Sequence, residues 1–160
     1  MYLTTQLTNR LNEVLLDGKW IAFTNYKLLL SDITWKEAIT KIGTLNTIAA
    51  LTYHVNYYNK GIADYLETGT LNISDKYSFD HPTISCSDDW QSLVNDFLTT
   101  AERLSGNIKK LDKDKLLTTF VDEKYGNHHR NMEGMIEHGY YHMGQVVIIK
   151  KLIREGYEPT

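Results

Sequence analysis

Residues Asn131 to Glu155 read NMEGMIEHGYYHMGQVVIIKKLIRE and carry His138 and His142 four positions apart. On an α-helix, at about 100° per residue, a four-residue step returns to within roughly 40° of the same direction, so both imidazoles leave one face. Met135, Gln145 and Ile149 share that stripe, whereas Glu133, Glu137, Gly144 and Lys151 lie broadly opposite, which turns the histidine face inward. Acidic residues early in this helix and Lys150, Lys151 and Arg154 late suit the helix dipole. Asn127 is placed to cap the helix, and Gly156 and Pro159 to stop it.

Three further segments carry apolar stripes for this helix to pack against. From Leu3 to about Leu30, Leu7, Leu11, Val14, Leu15, Ala22, Tyr26 and Leu29 keep close to a 3.6 period, predicting one helix or two, with a kink or restart near Trp20 because Asp17 and Gly18 interrupt. Thr34 followed by Glu37 matches a capping box and predicts a short helical connector through Ile39. A second long helix is expected from about Thr44 to Glu67, with Leu45, Ile48, Leu51, Val55, Tyr58, Ile62 and Leu66 inward and Gly69 suited to end it. Residues 69–86 are rich in turn formers and read as a loop long enough to cross one end of the molecule. The third long helix is expected to open at Ser87 as its cap, with Trp90, Val94, Phe97, Ala101, Leu104, Ile108 and Leu111 alternating steps of four and three. Asp112 to Lys115 reads as a turn, and Phe120 and Val121 as a short β-prone piece.

A chain of 160 residues with these stripes makes one domain, and an all-α antiparallel four-helix bundle is the simplest way to bury them all. The net charge of −3 and the lack of any Lys or Arg stripe argue against a nucleic-acid partner. The N-terminal MYLTTQLTNR has no signal-peptide pattern, and no stretch approaches the ~20 apolar residues of a membrane span, so a cytoplasmic location without a membrane partner is expected. The single cysteine, Cys86, offers neither an internal disulfide nor a thiolate metal site and reads as a passive thiol.

A metal needs a third ligand, and three histidines with an open position make a recognised catalytic zinc arrangement. Of the six histidines, His128 and His129 fall at a helix start and His81 precedes Pro82 in a loop, which leaves His54 as the remaining one set mid-helix beside an apolar stripe. No glutamate directly follows His138, so the metalloprotease signature and its general base are absent. Met132, Met135 and Met143 read as core packing, and Tyr53, Tyr57, Tyr58, Tyr140 and Tyr141 as amphipathic packing residues.

The pattern H-x-x-x-H-x-G-Q in EHGYYHMGQVVIIKKL, preceded by the histidine of NTIAALTYHVNYY, resembles the DinB-like (damage-inducible protein) superfamily. The likeness extends to the helix order, the long loop after the second long helix and the helix DDWQSLVNDFL. It implies a four-helix bundle, often dimeric, holding a divalent metal, zinc or nickel foremost, through residues matching His54, His138 and His142. Gln145 matches the family glutamine after the second histidine and is placed to orient a ligand or water. Asn131, Tyr57, Tyr58 and Met135 are the other cleft candidates. The resemblance further implies a metal-dependent thiol S-transferase or a hydrolase acting on a small-molecule substrate, with a low-molecular-weight thiol as a candidate co-substrate. The other reading is a non-catalytic metal-binding or stress-response homodimer. Imidazole ligands suit zinc, nickel, copper and iron alike, so the residues leave the metal open.

Overall fold

A computed structural model describes residues 2–157, and every regular element among them is helical: α1 (Tyr2–Leu15), α2 (Tyr26–Leu30), α3 (Trp35–Ile39), α4 (Ile48–Thr68), α5 (Ser87–Lys110), α6 (Lys113–Leu117) and α7 (His128–Arg154). The β-prone piece at Phe120 forms no strand, only an isolated bridge between Thr119 and Asn127. Short helical turns replace some of the predicted coil, among them α6, where the Asp112 side chain accepts from the Asp114 N–H and extends the expected turn into a helix.

The four long helices pack in a ring, α1 against α5, α5 against α4, α4 against α7 and α7 against α1. Their directions are fixed by the pairs that touch. Asn56 bonds Asp96, Asp64 pairs with Arg103 and Glu67 bonds Asn107, so α4 and α5 run the same way. His54 meets His138 while Tyr65 meets His128, so α4 and α7 run oppositely. Arg10 faces Glu133 and Val14 lies against Gly139, so α1 and α7 are parallel and α1 opposes α5. Antiparallel neighbours throughout are therefore not what the chain adopts: two of the four contacts are parallel.

The cause is the segment 69–86. Returning α4 to a parallel α5 means retracing a 21-residue helix, about 30 Å at 1.5 Å per residue. Instead of crossing one end, the segment runs back along α4 as a strap, with Ile73 against Gly61, Ser74 on Tyr57, Asp75 on Tyr58 and Phe79 on His54. Gly61 makes this possible, since a Cβ there would lie 2.5 Å from the Ile73 side chain.

Local signals set most helix ends. Thr47 caps α4 by accepting from the Ala50 N–H, and Gly69 ends it in the left-handed region at φ 77°. The start is one turn later than the apolar pattern suggested, which leaves Leu45 exposed. Thr34 and Glu37 form the expected capping box on α3. Cys86, not Ser87, holds the cap position of α5, because the Asp89 carboxylate accepts from the Ser85 and Cys86 N–H groups. Asn127 caps α7 as expected, and the helix therefore begins at His128 rather than Asn131. Pro159, expected to stop it, lies outside the described residues.

The largest departure is at residues 16–25. Helix α1 stops at Leu15, and the chain stays non-helical until Asn25, whose side chain donates to the Gly18 carbonyl and accepts from the Leu28 N–H. The loop so closed holds Phe23 at φ 53° and turns Trp20 (82% exposed), Ile21 and Phe23 (85%) outward, with Ala22 also exposed rather than in the core stripe.

The core is one cluster drawn from all the helices, with Phe97, Leu104 and Ile108 of α5 and Leu7 and Leu11 of α1 near its centre. The Tyr26 hydroxyl donates to the Gly139 carbonyl at 3.3 Å while its ring packs on Phe97 at 4.8 Å, tying α2 to the middle of α7. The Trp90 indole N–H donates to the Ile33 carbonyl and fixes the start of α5. A Cβ on Gly139 would meet Val14 at 3.2 Å, so this glycine, set between His138 and His142, sets how closely α1 approaches. Replacing Gly139 by Val overpacks that contact and is expected to lower stability by about 1–3 kcal/mol, read as an earlier urea midpoint at unchanged slope. An unchanged midpoint would mean that α1 and α7 can separate at Gly139 without cost.

Candidate metal centre

Three histidines from two helices meet between α4 and α7. His54 lies two turns into α4, and His138 and His142 lie mid-way along α7; because these helices run oppositely, the rings come together, with ligand-capable nitrogens all within 4.8 Å of one another. Nε2 of His54 and Nε2 of His138 are 3.1 Å apart. The ring centroids of His54 and His142 are 4.7 Å apart, and those of His138 and His142 4.5 Å.

The surroundings differ for each ring. The Gln145 side-chain oxygen lies 2.7 Å from Nδ1 of His142; an amide oxygen only accepts, so Nδ1 carries the hydrogen and the lone pair is on Nε2. Nδ1 of His54 and Nδ1 of His138 are buried and make no hydrogen bond of normal geometry. Phe79 of the strap stacks on His54 at 4.1 Å and 12°, and Tyr58 meets His54 and His138 edge-on at 5.1 and 5.3 Å. Tyr141, largely exposed, meets His142 edge-on at 4.8 Å.

Burial sets the charge state. It holds His138 down to about 4, reinforced by the neighbouring His142 and His54, since a second positive ring at this distance is repelled. His54 is lowered by burial first and by His142 second, with Ser78 and Asp75 pulling weakly the other way. Burial also lowers His142, opposed by its bond to Gln145. At neutral pH the cluster is therefore three uncharged imidazoles, the form that donates to metals.

Of the other residues singled out in the sequence, Gln145 and Tyr58 touch the histidines. Tyr57 stands one layer behind: its hydroxyl donates to the Ser74 carbonyl, accepts from the Ser74 N–H, and its ring packs on Tyr58. Met135 is buried in the core cluster. Asn131 is not at the cluster. Its amide donates to the carbonyls of Tyr125 and Asn127, closing the turn that leads into α7, because the helix begins a turn earlier than its apolar pattern implied.

Two features had no sequence signal. Phe79 and Asp75 arrive from a strap whose path depends on tertiary contacts. His128, set aside as a helix-start residue, is fully buried, with Nδ1 2.9 Å from the Thr118 carbonyl and Nε2 3.2 Å from the Tyr65 hydroxyl, which itself donates to the Phe120 carbonyl. It joins α4, α7 and the segment before α7 at the far end of the molecule from the triad.

Beside the triad runs a groove of about 330 Å³ between the start of α4 and the second half of α7, with Gln145 as the wall it shares with His142. Searched against family models, curated proteins and solved structures, the chain gives no significant match.

A histidine held low when folded stabilises the folded state above its unfolded value near 6.5, and that contribution is lost as pH falls toward the folded value. For His138 the window is about 6.5 down to about 4. Metal-free protein should lose stability across that window, and a His138→Gln variant should lose less of it. Parallel pH–stability curves for the two proteins would contradict the neutral, buried His138.

Proposed function

We propose that His54, His138 and His142 bind one divalent metal ion, zinc or nickel, in a DinB-like four-helix bundle, and that the metal centre acts on a small molecule as a thiol S-transferase or a hydrolase. The observation that carries this reading is the 3.1 Å approach of His54 Nε2 to His138 Nε2, completed by His142, which brings a ligand-capable nitrogen within 4.8 Å of the other two. Two nitrogens bound tetrahedrally at 2.0–2.1 Å from one ion stand about 3.3 Å apart, close to the separation already present. The Nε2 atoms of His54 and His138 face each other and His142 keeps its lone pair on Nε2, a set of neutral imidazole donors that fits a cation.

Each residue has a distinct part. Gln145 fixes the tautomer and rotation of His142 as an outer partner does in histidine metal sites. Tyr58, itself held by Asp75 at 2.8 Å, and Phe79 brace the rings of His54 and His138 and keep water from that side. A divalent ion held by these three neutral imidazoles would supply Lewis-acid chemistry toward a thiol or a water near neutral pH.

Helix order supports the bundle reading: two parallel and two antiparallel contacts with one long return strap is the arrangement of bundles with a crossover connection. No helix among the described residues is long and apolar enough to cross a membrane. The outward Trp20, Ile21 and Phe23, held on a closed loop, support self-association into the homodimer, since contiguous exposed apolar side chains of this size mark contact surfaces.

Purified without chelator or nickel resin, the protein should carry one equivalent of metal by elemental analysis. His142→Ala should abolish that equivalent and leave the helical spectrum intact, while Gln145→Leu should weaken binding roughly 10- to 100-fold. A full equivalent retained by His142→Ala would refute the site. Light scattering should give a dimer mass that a Trp20→Asp/Phe23→Asp variant reduces to the monomer; a monomeric parent across a wide concentration range would remove the dimer and leave the metal site standing.

A further inference from the structure

Among the described residues, none that lines the groove next to the triad is charged. Leu51 and Ile149 form its floor, Leu45 and Ile148 its exposed rims, and Thr44 and Asn46 supply neutral polar groups at the α4 end. Its wall toward the histidines is the neutral amide of Gln145, already committed to His142. On the other flank the triad is bordered by Phe79 and Tyr141, both with exposed ring surface. Among the described residues, no lysine or arginine shifts the three histidines, and Asp75 is the one carboxylate that does.

Charge and shape together restrict what can bind. A phosphate or carboxylate on the body of a ligand would enter an apolar trough with no cation to receive it, losing hydration without compensation. An apolar chain or ring would cover Leu45, Leu51, Ile148 and Ile149, and a volume of about 330 Å³ is enough for a small organic body. Metal-binding chemistry is confined to the histidine end, and the polar groups at the other end, on Thr44 and Asn46, are uncharged. We infer that the substrate of this centre is an uncharged molecule with an apolar body, which lies along the Leu51–Ile149 groove and presents a single metal-seeking polar group to His54, His138 and His142. The inference rests on the metal centre proposed above and names the substrate class for it.

Three hydroxamates test it on the zinc-loaded full chain, because each offers the same metal-binding head on a different body. Acetohydroxamate has no body, octanohydroxamate an apolar one, and the monohydroxamate of octanedioic acid has the same chain ended by a carboxylate. Titration calorimetry should find octanohydroxamate at least ~10-fold tighter than acetohydroxamate, in keeping with burial of several methylenes, and the carboxylate-ended probe should lose most of that gain. Ile148 is exposed on its helix, so Ile148→Lys should fold and should reverse the preference in favour of the carboxylate-ended probe; Leu45→Lys, on the opposite rim, is the second variant should the first not fold. Equal affinity of the three probes for protein that holds zinc through His142 would overturn the apolar groove alone. Failure of the protein to hold zinc, or zinc binding that survives His142→Ala, would overturn the metal centre and this inference with it.

Discussion

Bringing three imidazoles between α4 and α7 without giving them charge is the constraint around which the molecule is arranged. A protonated ring in this position would be desolvated and repelled by its neighbours, which is why His138 is held down to about 4. The helices that carry the rings must approach closely, and the packing permits it: Gly139 admits Val14 from behind, Tyr26 bonds the Gly139 carbonyl, and α1 presses α7 toward α4. At the far end, Tyr65 and His128 hold the same pair of helices, so the register of α4 against α7 is fixed at two places about three turns apart on α4.

The strap is the second consequence. A parallel α4–α5 contact requires a long return segment, and its route along α4 places Asp75 and Phe79 on the tyrosine and histidine side of that helix. Topology and site are thereby linked: the same residues that carry the chain back supply one wall around His54. The other wall is left to Gln145 and the uncharged groove, which gives the centre one braced side and one side suited to a ligand.

The ion pairs lie mostly outside this arrangement. Arg154 and Lys150 hold Asp32 and Glu37, pinning α2 and α3 to the end of α7, while Arg103 joins Asp64 and Glu67 across α4 and α5. Each pair has at least one exposed partner, where such contacts contribute little, so they orient the short helices more than they stabilise the core. Stability rests on the buried stripes.

Much of this was legible in the residues alone, because helix period, capping and ligand spacing are local. The Trp90-to-Ile108 stripe, the Thr34–Glu37 box, Gly69 and Asn127 all act within a turn or two of themselves, and the i, i+4 spacing put His138 and His142 on one face. His54 was reached through its place in an apolar helix, and Gln145 through a resemblance that put it one turn beyond His142. What was decided only in three dimensions depends on which surfaces meet. The relative direction of α4 and α5 came from the strap, whose polar, turn-rich residues carry no periodicity to reveal its path. Residues 16–25 left the helix because Asn25 bonds Gly18 and Leu28, a closure seven residues long that outweighs the apolar period running through Ala22. His128 was legible only as a helix-start residue and is buried, because the partners that cover it, Tyr65 and Phe120, come from distant or non-helical chain. The apolar groove, too, has walls from α7, from Leu51 of α4 and from the segment that leads into α4, which only packing brings together.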